Sequence, residues 1–131
     1  MTPEQLKVRT KHFALEVIAL VGTLPRTLVA EIIAGQMVRS GTSTGANYRA
    51  ACRARSRAEF VAKIGVAEEE ADETLYWLEL LFETKLAASE SVQRLIVEAT
   101  ELVAILSAGR KTAREAEKER RARVDRRKVD D

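Results

Sequence analysis

Histidine and cysteine occur once each in this 131-residue chain, as His12 and Cys52. A single thiol cannot close an internal disulfide, so a reducing compartment is the simplest expectation. One imidazole cannot supply the ligands of a di-iron bundle, which needs Glu-x-x-His pairs on facing helices. No such pair occurs, and neither a metal nor a cofactor is expected. Proline is confined to Pro3 and Pro25, and aromatic residues make up 5% of the chain. Few helix breakers and few aromatics argue against a sheet protein and for a Leu/Ala/Val core built from helices. No apolar run approaches the roughly 20 residues that a membrane-spanning helix requires. The N-terminus lacks the basic region, apolar stretch and cleavage site of a signal peptide. These absences together lead us to expect a cytoplasmic protein with no membrane partner.

Charge is plentiful and segregated. Residues 1–109 carry 12 Lys/Arg against 14 Asp/Glu, whereas residues 110–131 carry 10 against 6. Within the body, Arg39, Arg49, Arg53, Arg55, Arg57 and Lys63 precede an acidic run from Glu68 to Glu83 that holds no base. A basic segment followed by an acidic one invites pairing, within the chain or between copies of it.

Apolar spacing predicts four amphipathic helices. Thr2-Pro3-Glu4-Gln5 reads as a capping box with proline at the first helical position. Leu6, Phe13, Val17, Leu20 and Leu24 then share a stripe, widened by Ala14, Ile18 and Val21, and Pro25 marks the stop. A second helix starts near Arg26, with Leu28, Ile32, Gly35 and Gln36 as its expected face. Its middle, residues 40–45, is rich in Ser, Thr and Gly, which are poor helix formers. The stretch reads as a loop or as unbroken helix with small residues for close packing. The three-four spacing of Gln36, Ser43, Asn47 and Ala50 favours the helix. Ser56-Arg57-Ala58-Glu59 is another capping box. Behind it Phe60, Ile64, Ala67, Ala71, Leu75, Leu78, Phe82 and Leu86 recur at helical intervals, the cleanest periodicity in the chain. Trp77, Leu80 and Leu81 fall beside this stripe and suggest a second buried face. After a short connection at 87–91, Val92, Leu95, Ala99, Leu102 and Leu106 form the fourth stripe, with Gly109 as its expected end. The fold class expected is all-α: an up-and-down antiparallel four-helix bundle over residues 1–109. Residues 110–131 follow as a charged basic tail, either a solvated helical extension or disordered.

Several motifs resemble reactive sites and fail on context. Gly41-Thr42-Ser43-Thr44-Gly45 spells G-x-S-x-G, but the nucleophile elbow needs a preceding strand. It is not a phosphate-binding P-loop either, because Ala46-Asn47 follows Gly45 where that motif needs Lys-Ser/Thr. No catalytic residue is assigned, and the chain is not expected to be an enzyme. Two groups remain as candidates. Arg39, Ser40, Ser43 and Asn47 can meet Glu70 and Glu73 in a polar seam that fixes helix register. Arg49, Arg53, Arg55 and Arg57, with Arg120, Arg121, Arg123, Arg126, Arg127 and Lys128 of the tail, are candidate phosphate contacts to RNA or DNA. Without interleaved aromatics such contacts would be sequence-blind.

The order of Leu24-Pro25, Gln36-Met37-Val38-Arg39-Ser40-Gly41-Thr42-Ser43, Ala46-Asn47-Tyr48, Ser56, Glu59-Phe60, Lys63, Glu69-Glu70-Ala71, Glu73-Thr74 and Tyr76-Trp77-Leu78 resembles a known family. It is that of the four-helix-bundle proteins encoded in 23S ribosomal RNA intervening sequences. The resemblance covers about residues 5–108 and leaves the tail outside. More distantly, the chain is similar to the accessory variability determinant of diversity-generating retroelements. The resemblance implies a left-handed up-and-down bundle that assembles as a homopentamer, with no defined cellular role. The distant relative implies a basic ring that binds nucleic acid and a reverse transcriptase. Arg39, Ser40, Ser43, Asn47, Glu70 and Glu73 match the family's recurrent polar positions, to which no catalytic role attaches. Ala50 and Ala51 stand where related chains often carry a carboxylate. The leading expectation is a non-enzymatic homo-oligomer, and the alternative is a nucleic-acid-binding accessory protein.

Overall fold

The computed structural model describes residues 1–130, in four helices: α1 (Pro3–Val21), α2 (Leu28–Cys52), α3 (Arg57–Thr84) and α4 (Ser89–Asp130). Each packs against its neighbour in the chain, α1 also meets α4, and the backbones of the diagonal pairs stay apart among the described residues. This is the up-and-down four-helix bundle that the periodicity predicts. No helix is long and apolar enough to cross a membrane among the described residues.

Helix α1 begins at the expected capping box. Thr2 Oγ1 accepts from the Gln5 N–H at 3.1 Å, and Gln5 Oε1 accepts from the Thr2 N–H at 2.8 Å. These bonds satisfy two groups that a helix start would otherwise leave bare. Leu6, Thr10, Phe13, Val17 and Leu20 are buried, whereas Ile18 faces out. In α3 the second capping box is offset. Ser56 Oγ accepts from the Glu59 N–H at 3.0 Å, but the Glu59 carboxylate reaches the Arg55 N–H, at 3.1 Å, rather than that of Ser56. Ile64, Ala67, Ala71, Thr74, Leu78 and Leu81 form its buried face, with Trp77 and Leu80 packed partly against the core. Phe60, Leu75 and Leu86 are only partly buried and Phe82 is exposed. Lys85, in the left-handed region at φ 59°, ends the helix.

Helix α2 is unbroken through residues 40–45, and its buried face is not the expected one. Ala30, Ile33, Met37, Ser40, Gly41, Thr44, Gly45, Tyr48 and Ala51 point inward. Leu28, Ile32, Gly35 and Gln36, expected to pack, lie on the outside. Close approach decides this. A Cβ at Gly41 would lie 3.1 Å from Val17 Cγ1, and one at Gly45 would lie 3.0 Å from Thr10 Oγ1. Small size brings the backbones of α1 and α2 together at these two positions, which sets the buried face together with Ile33, Met37 and Tyr48. The buried hydroxyls are satisfied locally: Thr10 Oγ1 donates to Leu6 O and Thr44 Oγ1 to Ser40 O, both at 2.9 Å.

Helix α4 buries Val92, Leu95, Ala99, Leu102 and Leu106, the stripe read from the sequence. Gly109, expected as its end, lies inside it, with Ile64 Cδ1 only 3.1 Å from where a Cβ would stand. The helix continues to Asp130, and Glu117 is its last buried residue. Beyond that, residues 118–130 are exposed along their whole length. At 1.5 Å per residue this rod extends about 20 Å past the last core contact.

Candidate functional site

The polar seam lies between α2 and α3. Arg39 reaches across to Glu70 at 3.1 Å and also pairs with Glu73. Glu73 in turn accepts from Trp77 Nε1–H at 3.1 Å, which orients the indole. One turn inward, Thr74 Oγ1 lies 2.8 Å from Ser40 Oγ, and both hydroxyls are fully buried. Arg39 is half exposed, so its ion pairs contribute little stability. The buried hydroxyl pair links α2 and α3 at one register, beside the bond of Thr74 Oγ1 to Glu70 O at 2.8 Å within its own helix. Ser43 and Asn47, expected in the same seam, do not join it. Asn47 Nδ2 donates to Ser43 O at 2.9 Å and to Ser43 Oγ at 3.0 Å, within α2. Thr74 and Trp77 were not singled out as seam residues in the sequence. The signal for Thr74 was its place among Ala71 and Leu78 on the apolar stripe, where a hydroxyl needs a partner.

Two further ion clusters tie α4 to its neighbours. Arg9 of α1 holds Glu98 at 2.6 Å and also meets Glu101. The carboxylates raise the Arg9 pKa above its ordinary value, Glu98 through its hydrogen bond first. Arg110 donates to Glu68 of α3 at 2.6 Å. Of the basic segment that precedes the acidic run, Arg39 alone pairs with that run among the described residues.

The candidate phosphate contacts divide. Arg55 of the α2–α3 turn and Arg57 at the start of α3 meet Arg120 and Arg121 of α4 around one open cleft of about 990 Å³. The cleft sits at the end of the bundle where α1 and α3 begin, and Lys7 adds a fifth base to its lining. Tyr48, Ala51 and Phe60 supply its apolar surface. Burial first, and the adjacent Cys52 thiol second, push the Tyr48 phenol above its usual range. Glu117 is the one carboxylate on the α4 side. It pairs with Arg120 at 2.8 Å and Arg121 at 3.4 Å. Its hydrogen bond with Arg120 holds it below the usual carboxylate range, with Arg57 adding to the same effect. Arg49 lies on another groove, with Lys7 and Lys11, and Arg53 caps α2. Arg123, Arg126, Arg127 and Lys128 lie on the exposed rod beyond the cleft. Bases far apart in sequence thus converge, a proximity that only the bundle's topology creates.

Ser43 of the Gly41–Gly45 motif has no histidine partner among its hydrogen bonds. His12 Nδ1 lies 2.8 Å from Glu16 on the outer side of α1, and Ser43 is occupied by Asn47. Among the described residues no group of three His, Cys, Asp or Glu is placed to hold a metal ion.

Comparison with known proteins agrees with the geometry. Residues 4–108 match the family described as 23S rRNA-intervening sequence protein. A crystal structure of a protein of unknown function from the S23 ribosomal protein family of Bacteroides thetaiotaomicron superposes with a TM-score of 0.77. It is 36% identical, and the match covers 85% of this chain and 99% of that one. No match is found among curated proteins. The matched segment ends one residue before Gly109, so the rod of α4 lies outside it. The chain belongs to the family of 23S rRNA-intervening sequence proteins.

Proposed function

We propose that the protein is a non-catalytic helical scaffold that works as a homo-oligomer. One observation carries this reading. Leu28, Val29 and Ile32, on the first turns of α2, are 74%, 56% and 56% exposed. Three large apolar side chains within five residues favour a partner surface, since burying apolar area yields about 25 cal/mol per Å². A ring of five copies is the assembly that the family resemblance implies. Light scattering tests it: the chain should have a mass several times that of one copy, and Leu28→Asp with Ile32→Asp should reduce it to a monomer of unchanged helicity. A wild-type monomer at tens of micromolar rejects the reading.

A second reading is contact with RNA or DNA phosphates, supported by the convergence of Arg55 and Arg57 with Arg120 and Arg121. It predicts affinity for structured RNA that falls steeply with salt. Arg55→Ala with Arg57→Ala should weaken binding equally for unrelated sequences. Retention unaffected by salt, or none at low salt, would remove this reading.

A further inference from the structure

The outer side of α3 carries a second stripe, opposite the buried one. Glu69, Asp72, Tyr76, Glu79 and Glu83 recur at alternating intervals of three and four, and all are exposed. Such spacing keeps side chains on one face of a helix. From Glu69 to Glu83 the stripe is about 21 Å long at 1.5 Å per residue. None of its four carboxylates forms an ion pair among the described residues, although Arg110 and Arg114 border the groove at Glu69 and Asp72. Tyr76, at its centre, is 54% exposed and stands edge-on to Trp77.

The rod at the end of α4 has the complementary character. Residues 118–130 contain seven bases and three carboxylates. Arg120, Arg123 and Arg127 repeat at three and four, with Val124 beside them, so a row of guanidinium groups runs along one face. The rod is about 20 Å long, close to the length of the acidic stripe. It cannot reach the outer side of α3 in its own chain. Helix α4 runs unbroken from Ser89, and its own packing holds the opposite side of α3 against the core.

We propose that the α4 rod of one copy docks along the Glu69–Glu83 face of α3 in a second copy. The Arg120, Arg123 and Arg127 guanidinium groups would pair with the carboxylates, and one of them would lie on the Tyr76 ring. The local pairs of Arg120 with Glu117 and of Arg123 with Glu119 would be exchanged or shared in doing so. Each isolated surface pair is weak, so the contact depends on several acting together and on low screening. Every copy offers one rod and one acidic face. The contact is therefore head-to-tail, and closes as a ring or as a reciprocal pair. The inference rests on the self-association reading and adds a polar surface to the apolar one.

Sedimentation velocity on the full chain tests it. At about 50 mM salt the association should be at least tenfold tighter than at about 500 mM, where screening is nearly complete over a few ångström. Arg120→Glu with Arg123→Glu and Arg127→Glu should remove that salt-sensitive part. Glu69→Lys with Asp72→Lys, Glu79→Lys and Glu83→Lys should do the same, and mixing the two variants should restore association. All these positions are exposed, and circular dichroism confirms the fold of each variant. Unchanged mass in the charge-reversed rod overturns the proposal, as do a failure of the mixture to associate and a wild type without salt dependence. Loss of RNA retention alone, with assembly intact, also overturns it and assigns the rod to nucleic acid. If Ile32→Asp dissociates the protein at every salt concentration while the charge variants do not, the rod contact fails and the apolar assembly stands. If none of the variants changes the mass, both fail.

Discussion

Leu28, Val29 and Ile32 stand in solvent at the start of α2, while Ser40, Gly41, Thr44 and Gly45 in its middle are fully enclosed. Within one helix three large apolar residues face out, while Ser, Gly and Thr face in between the buried Met37 and Tyr48. The middle is buried because α1 comes close enough to exclude a side chain, and the glycines permit that approach. The first turns face no such neighbour on their outer side. Hydrophobicity therefore ranks residues by their gain from burial, whereas burial in a bundle also depends on how closely two backbones can lie. The exposed end is then available for contact with another copy, and the enclosed middle fixes the internal geometry.

The sharpest way to break this contrast is to refill the middle. Gly45→Val places branched carbon atoms where even a Cβ would lie 3.0 Å from Thr10 Oγ1 and 3.4 Å from the Thr10 backbone carbon. Overpacking of this kind costs about 1–3 kcal/mol, and we expect the upper part of that range because Thr10 Cβ, which no rotamer change can move, lies 3.2 Å from that position. Urea unfolding should show a lower midpoint with an unchanged slope. A variant as stable as the wild type would mean that α1 can withdraw without loss, and that the close approach does not choose the face.

A smaller effect is expected at the hydroxyl pair. Thr74→Val keeps the shape of the side chain but removes the group that meets Ser40, leaving a buried hydroxyl without its cross-helix partner. The cost should be about 1 kcal/mol by denaturant unfolding. Adding Ser40→Ala should recover part of that loss, since two apolar partners leave nothing unsatisfied. A double variant that loses the full sum of both changes would show that the hydroxyls act independently, through their own helix backbones.

Much of this architecture was legible beforehand. Val92, Leu95, Ala99, Leu102 and Leu106 are the buried stripe of α4 as their spacing requires, and Thr2 and Ser56 cap the helices that they announce. Those features are local, encoded within a turn or two of chain. The face of α2 differs from the expected Leu28, Ile32, Gly35 and Gln36 for a physical reason: between Met37 and Tyr48 the buried stripe is Ser, Gly and Thr, which carry no hydrophobic signal, so the run from Ala30 and Ile33 to Ala51 looks interrupted. Gly109 misled for a related reason. A glycine near a helix end suggests a cap, but this one gives room to Ile64 of α3, a long-range contact. Within the polar seam, Arg39 and Glu70 follow from opposite charges on adjacent helices. The convergence of Arg57 with Arg121 does not, because the two lie far apart in the chain and meet only after α4 folds along α3.

The mildest substitution sharpens the comparison from the other side. Gly35 lies on the exposed face of α2, and a Cβ there meets nothing within 4 Å. Gly35→Ala should therefore express only helix propensity and stabilise the monomer by up to about 1 kcal/mol. The same change at Gly45 brings the same gain in propensity but presses on Thr10, so its net effect should be less favourable. Comparing the two by thermal unfolding isolates the packing cost, since backbone entropy cancels between them. If Gly35→Ala destabilises, the outer face of α2 carries a contact absent from a single chain. Repeating the measurement in a Leu28→Asp, Ile32→Asp background decides whether that contact belongs to the assembly. There the penalty should vanish if the face is covered by another copy, and persist if it is not.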